Sequence, residues 1–109
     1  MNILMISDVY FPRINGVSTS IDTFRKALSC LGHQVSLIAP DYKTGGDDDA
    51  GISRVPSRYL VLDPEDRIMQ ARHILALEAE LAERSFDLLH IQTPFIAHKA
   101  GIELARRLH

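Results

Sequence analysis

Four apolar residues stand in unbroken succession near the start of the chain, Ile3-Leu4-Met5-Ile6. A strand with one wet face alternates apolar and polar residues. A short continuous run reads instead as a strand covered on both faces, and strands of that kind belong to parallel sheets. Parallel neighbours need crossover connections, so this run calls for helices on both sides of a sheet.

The rest of the chain supplies them. Val17, Ile21, Phe24, Leu28 and Leu31 recur at spacings of three and four and predict one face of a helix. Gly32 suits the position that ends it. Gln34 to Ala39 reads as a second strand, stopped by Pro40, and Ile52 to Val55 as a short third. The tract 41–51 is loop-like, and its Asp47-Asp48-Asp49 reads as a solvated tip rather than a cation site. Arg58 to Leu62 is expected to be irregular or extended. Asp63-Pro64-Glu65-Asp66 has the signature of a helix start, and Ala71, Leu75, Ala79 and Ala82 mark its buried stripe, with Ile74, Leu77 and Leu81 alongside. Asp87 to Gln92 is expected as another buried strand. Thr93-Pro94 then opens a last helix with Ala97, Ala100, Gly101, Leu104 and Leu108 inward. The fold class is therefore α/β: a Rossmann-like, three-layer parallel sheet with helices on both faces.

Composition narrows the function. Hydrophobic residues make up 46% and charged residues 24% of the 109, which argues against disorder. The net charge of -2 gives no basic field for nucleic acid. A single cysteine, Cys30, excludes an internal disulfide framework and a cysteine-based zinc site, and reads as a small buried residue. No apolar run approaches the ~18 residues of a membrane span, and no basic segment precedes Ile3, so the N-terminus reads as a strand rather than a signal peptide. A cytoplasmic location is the default, with peripheral membrane contact left open.

Ligands of open α/β sheets bind beyond the carboxyl ends of the strands, where strand order reverses. With the order 3-2-1-4, the loops Ser7–Gly16 and Gln92–Phe95 converge on one crevice. Asn15-Gly16 begins the first helix, where free N–H groups suit a phosphate and glycine allows close approach; an ordinary turn and cap is the other reading. No Gly-x-Gly-x-x-Gly and no Walker lysine motif is present, which disfavours NAD and ATP sites of the usual kind. Asp8 either orients a sugar hydroxyl or braces the loop. Tyr10 and Phe11 either line an acceptor cleft or pack beneath the loop. Arg13 either meets an anion or stays solvated. Gln92 and Thr93 stand at the strand mouth, Gln92 being the better ligand candidate because it both donates and accepts. His90 reads as a satisfied core histidine.

The stretches Asn2–Val17, Leu31-Gly32-His33-Gln34-Val35 and Asp87–Phe95 together resemble the N-terminal part of family 4 glycosyltransferases, which have the two-Rossmann GT-B architecture. The first stretch is the most specific; Gly32-His33-x-Val35 is shared by many α/β proteins. Many relatives carry a second histidine where this chain has Gln92, so no histidine role is carried over there. The resemblance implies transfer of a sugar from a nucleotide-sugar to a sugar or lipid acceptor, with retention at the anomeric carbon and with neither an obligatory metal nor a cofactor. It implies that residues 1–109 are a partial, acceptor-side N-terminal domain, a truncated half whose C-terminal donor-binding domain is absent. Asn15 and Gly16 would approach the donor diphosphate; Asp8, Tyr10, Phe11, Arg13, Gln92 and Thr93 are the acceptor and cleft candidates. No catalytic residue can be assigned, and the piece alone is expected to be inactive. The alternative is a stand-alone flavodoxin-like binding or regulatory module. With no further strand beside it, the Asp87–Gln92 edge or the Pro94–Leu108 helix is expected to pair with a second copy.

Overall fold

The computed structural model describes residues 1–42, 48, 50–59 and 67–108. The elements follow in the order β1 (Asn2–Ile6), α1 (Gly16–Cys30), β2 (Gln34–Pro40), β3 (Ile52–Val55), β4 (Ser57–Tyr59), β5 (Arg67–Met69), α2 (Ala71–Leu75), α3 (Glu78–Ala82), β6 (Leu88–Ile91) and α4 (Ile96–Leu108). Four strands form a parallel sheet in the order β3-β2-β1-β6. The order reverses at β1, as expected.

Central β1 is buried from Ile3 to Ile6, which is why its apolar run is unbroken. Its side chains serve two cores in alternation. Ile3 and Met5 join Leu37, Ala39, Tyr10 and Ile21 of α1 on one face. Leu4 and Ile6 join Ile38, Val55, Ile74, Leu81, Ala97, Ala100 and Leu104 on the other. Helices therefore cover both faces, giving the three layers.

The helix ends are set locally. Asn15 is extended, and its Oδ1 accepts from Ser18 N at 2.9 Å, capping α1. Gly32 at φ +93° takes the left-handed turn after α1. The small residues of α4 let it approach β6 closely: a Cβ on Gly101 would lie 2.9 Å from Ile91 Cδ1 and Cγ1.

Several expectations are corrected. The helix start at Asp63-Pro64 lies outside the described residues, but no helix runs through 67–69. Arg67–Met69 is a strand, antiparallel to β4 in a two-stranded sheet. Its alternation, Ile68 41% exposed and Met69 1%, is a period-two signal that a helical reading overlooks. Helix begins only at Ala71 and breaks at 76–77. Ile74 and Leu81 become its core anchors, while Ala79 and Ala82 are exposed. The larger side chains gain more from burial, and the break lets both face the sheet.

β6 is not a buried strand. Leu88 is 48% exposed and His90 is exposed, so His90 is no core histidine. Leu88 pairs with Ile3 and His90 with Met5, on the face that α1 covers. One helix about 10 Å wide covers roughly two strands spaced about 4.8 Å apart, and β6 lies beyond its reach. On the expected α1 stripe, Phe24 and Leu31 are exposed, at 49% and 74%. Cys30 is exposed at the end of α1 rather than buried. Among the described residues β6 pairs only with β1, so its outer edge is open.

Candidate functional site at the carboxyl edge

The loops after β1 and β6 are joined by hydrogen bonds. Asp8 N donates to Thr93 Oγ1 at 2.8 Å, and Thr93 Oγ1 donates to Asp8 Oδ2 at 2.5 Å. Ala97 N donates to both carboxylate oxygens of Asp8 at 3.2 Å. Asp8 thus caps α4 from a distant loop, a favourable place for a negative charge. The cap expected from Thr93 itself is supplied by Asp8, and Thr93 is buried with its hydroxyl committed. Asp8 thus braces the loops after β1 and β6.

Tyr10 also belongs to the support. It is 4% exposed and packs in the α1-side core, so it offers almost no surface to a cleft. Its hydroxyl accepts from Arg25 Nη1 at 3.0 Å and donates to Asp22 Oδ1 at 3.4 Å. Burial pushes the phenol above its ordinary value, with Arg25 opposing the rise. Phe11 is half-buried and meets the Tyr10 ring edge-on at 5.2 Å between centroids. Arg13 is half-buried and is not a free surface cation; its carbonyl accepts from Ser18 Oγ at 2.6 Å.

What faces outward is the helix end. Gly16 is exposed, has no atom within 4 Å of the position a Cβ would take, and has no left-handed φ. The fold therefore does not require glycine here. Asn15 satisfies Ser18 N, which leaves the N–H groups of Gly16 and Val17 as helix-end donors. Gln92 is half-buried at the mouth of β6; its N donates to Ile6 O at 2.9 Å, while its buried Nε2 has no partner among the described residues. Ile14 and Phe95, one on each loop, are 77% and 68% exposed.

Sequence reasoning missed Arg54. From β3 it donates to Asp48 through Nε and Nη2 at 2.9 and 3.0 Å, to Pro40 O at 3.0 Å and to Phe11 O at 2.7 Å. Its guanidinium lies 5.4 Å from the Tyr10 ring centroid. One side chain thus ties the β1–α1 loop to the ends of β2 and β3. The hydrogen bonds from Arg54 hold the Asp48 carboxyl below its ordinary value. A lone arginine in a short strand carries no sequence signal for this. Among the described residues no group of three or more His, Cys, Asp or Glu is placed to hold a metal ion.

The arrangement offers backbone donors at a helix start, with an amide that has no partner among the described residues at the mouth of β6 on the same edge of the sheet. Such donors suit an anionic, hydroxyl-bearing ligand. The sequence model of Glycosyltransferase Family 4 matches residues 14–109. This chain belongs to glycosyltransferase family 4.

Similar members are transferases of two kinds. The chain is 29% identical to an alpha-monoglucosyldiacylglycerol synthase of Acholeplasma laidlawii, over 98% of the chain and 27% of that protein. It is 33% identical to the synthase of the same name from Streptococcus pneumoniae, over 99% of the chain and 24% of that protein. It is 30% identical to a GDP-mannose-dependent alpha-mannosyltransferase of Mycobacterium tuberculosis, over 99% of the chain and 30% of that protein. The chain thus spans about a quarter of the length of these relatives. Among the described residues no helix is long and apolar enough to cross a membrane.

Proposed function

We propose that this chain is the acceptor-side, N-terminal part of a retaining hexosyltransferase that moves a sugar from a nucleotide-sugar to a sugar or lipid acceptor. The observation that carries the reading is Gly16. A glycine that neither backbone conformation nor packing requires, set at a capped helix start on the ligand-binding edge, fits close approach by a diphosphate. Asn15 caps the helix, Gly16 and Val17 offer N–H donors, and Gln92 Nε2 offers a further donor from the facing loop.

The relatives' names support the transfer chemistry. One specifies GDP-mannose as donor and two specify a glucosylated diacylglycerol. All three specify α products, and an α product made from an α-linked nucleotide-sugar is retention. The donor's remaining contacts would come from a C-terminal domain outside these residues, so this piece alone is inactive under this reading. No residue of the described site is a metal ligand or a nucleophile in the scheme; the chain's share is to position donor and acceptor. The exposed Ile14 and Phe95 suit an apolar acceptor or peripheral contact with a membrane from the cytoplasmic side. As an isolated piece, the chain would pair with a second copy through the open β6 edge or α4. Family membership favours this reading over a flavodoxin-like binding module.

The test is Gly16→Leu in the complete transferase. A Cβ at this exposed position meets nothing within 4 Å, so thermal stability should hold. Losing two charge-assisted hydrogen bonds to a diphosphate costs about 3–6 kcal/mol, or roughly 10²- to 10⁴-fold in transfer. Undiminished turnover would refute the role given to this helix end.

A further inference from the structure

A second feature of the carboxyl edge has a chemistry of its own. A pocket of about 330 Å³ is lined by Pro56, Ser57, Arg58, Gln70, Arg72 and His73. The fold explains its place. β3 ends at Val55, so Pro56 and Ser57 emerge at the carboxyl edge, where Ser57 Oγ donates to the carbonyl of Asp41 beyond β2. The β4–β5 register sets Ser57 opposite Met69, which brings the residues after Met69 alongside.

Among the described residues the lining is one-sided: two guanidinium groups, an imidazole, an amide and a hydroxyl, with no carboxylate. Three other arginines have carboxylate partners nearby. Arg54 holds Asp48, while Arg106 and Arg107 meet Glu103 and Glu78. Arg58 and Arg72 form no ion pair among the described residues. His73 Nδ1 is buried with no hydrogen-bond partner among the described residues. A buried polar atom without a partner is costly, and native structures leave few of them unexplained. The volume falls in the range of small-ligand sites. Guanidinium forks match the oxygens of a phosphate group in geometry as well as charge.

We propose that this pocket binds a phosphate mono- or diester, held by Arg58 and Arg72 with His73 as the third contact. The group would belong either to a small phosphorylated molecule or to a phospholipid headgroup. This goes beyond the transfer reading and stands apart from it, because anion binding is measured without a donor and without turnover.

The experiment is a titration of the isotopically labelled chain with inorganic phosphate and then glycerol 1-phosphate at fixed ionic strength, following backbone amides by NMR. Saturable shifts are expected at Ser57, Arg58 and Gln70 to His73. Arg58→Gln with Arg72→Gln should weaken binding about tenfold or more, while Arg106→Gln leaves it unchanged. Both pocket arginines are exposed, so the variant should keep its fold; the single change Arg72→Lys, which keeps charge but loses the fork, should give an intermediate loss. Co-sedimentation with phosphatidylglycerol and phosphatidylcholine vesicles separates the sources. Retention on phosphatidylglycerol that phosphate competes away, and that the double variant lacks, assigns a headgroup; saturable shifts without retention assign a small phosphorylated molecule. Shifts that never saturate, that spread over the surface cations, or that persist in the double variant would overturn the proposal.

Discussion

Replacing Asp8 by alanine should uncouple the two loops that build the site. Three hydrogen bonds reach the Asp8 carboxylate: one from Thr93 Oγ1 and two, bifurcated, from Ala97 N. Loss of the α4 cap costs about 1 kcal/mol. Thr93 is 7% exposed, so its hydroxyl cannot turn freely to water; leaving it without an acceptor costs a further 1–3 kcal/mol or so. The total of about 2–4 kcal/mol corresponds to a fall in Tm of roughly 10–25 °C for a domain of this size. Urea and thermal unfolding by circular dichroism give the magnitude. Amide exchange locates it: Ala97 and His98 should exchange much faster in the variant, while Leu4 to Ile6 change only with global stability. Asp8→Asn keeps an acceptor and should recover part of the loss. In a double-mutant cycle with Thr93→Val, a coupling of about 1–2 kcal/mol is expected. An Asp8→Ala protein within about 0.5 kcal/mol of the wild type, with unchanged protection at Ala97, would refute the cross-loop cap.

Gly101→Val should destabilise the chain by about 1–3 kcal/mol through overpacking against Ile91, and Ile91→Ala should relieve much of that in the double variant; additive unfolding energies would contradict the close packing of α4 on β6. The Arg54–Asp48 pair lowers the folded-state value of Asp48 below the ordinary 3.8, so its stabilisation is complete at neutral pH and is lost as pH falls through that lowered value. Asp48→Asn should flatten this acid limb in pH-dependent melting, and an unchanged limb would exclude the pair as its source. The open β6 edge predicts self-association of the isolated chain, which light scattering at micromolar concentration would detect. Leu89→Lys should disperse it, and a monomeric wild type would exclude the edge as an interface.

Much of the fold was legible because its signals are local. The unbroken run Ile3–Ile6 announced a strand buried on both faces, and β1 is that strand. Asn15 and Gly32 marked the two ends of α1 through backbone groups only a few residues away. The small residues of α4 marked its packed face, which holds in full. The strand order assumed for such a sheet, 3-2-1-4, is the one observed, β3-β2-β1-β6. The candidate loops were legible too, because strand order alone selects the edge on which they lie.

Tertiary structure decided what depends on distant partners. Asp8 and Thr93 meet across 85 residues, and Arg54 reaches Phe11 across 43. No window of sequence contains both members of either pair. The same holds for Tyr10: its chemistry suits a cleft or a core, and only the packing of Ile21 and Leu37 beside it settles on the core. The strand β5 was misread because its hydrogen-bond partner, β4, supplies a ladder that helical propensity at 63–71 does not register. Exposure of Leu88 and His90 depends on how many helices cover each face, a count fixed by the assembled layers. The sequence determines each element through neighbours about four residues apart. The site is determined by contacts between elements, which exist only once the sheet has brought its strand ends to one edge.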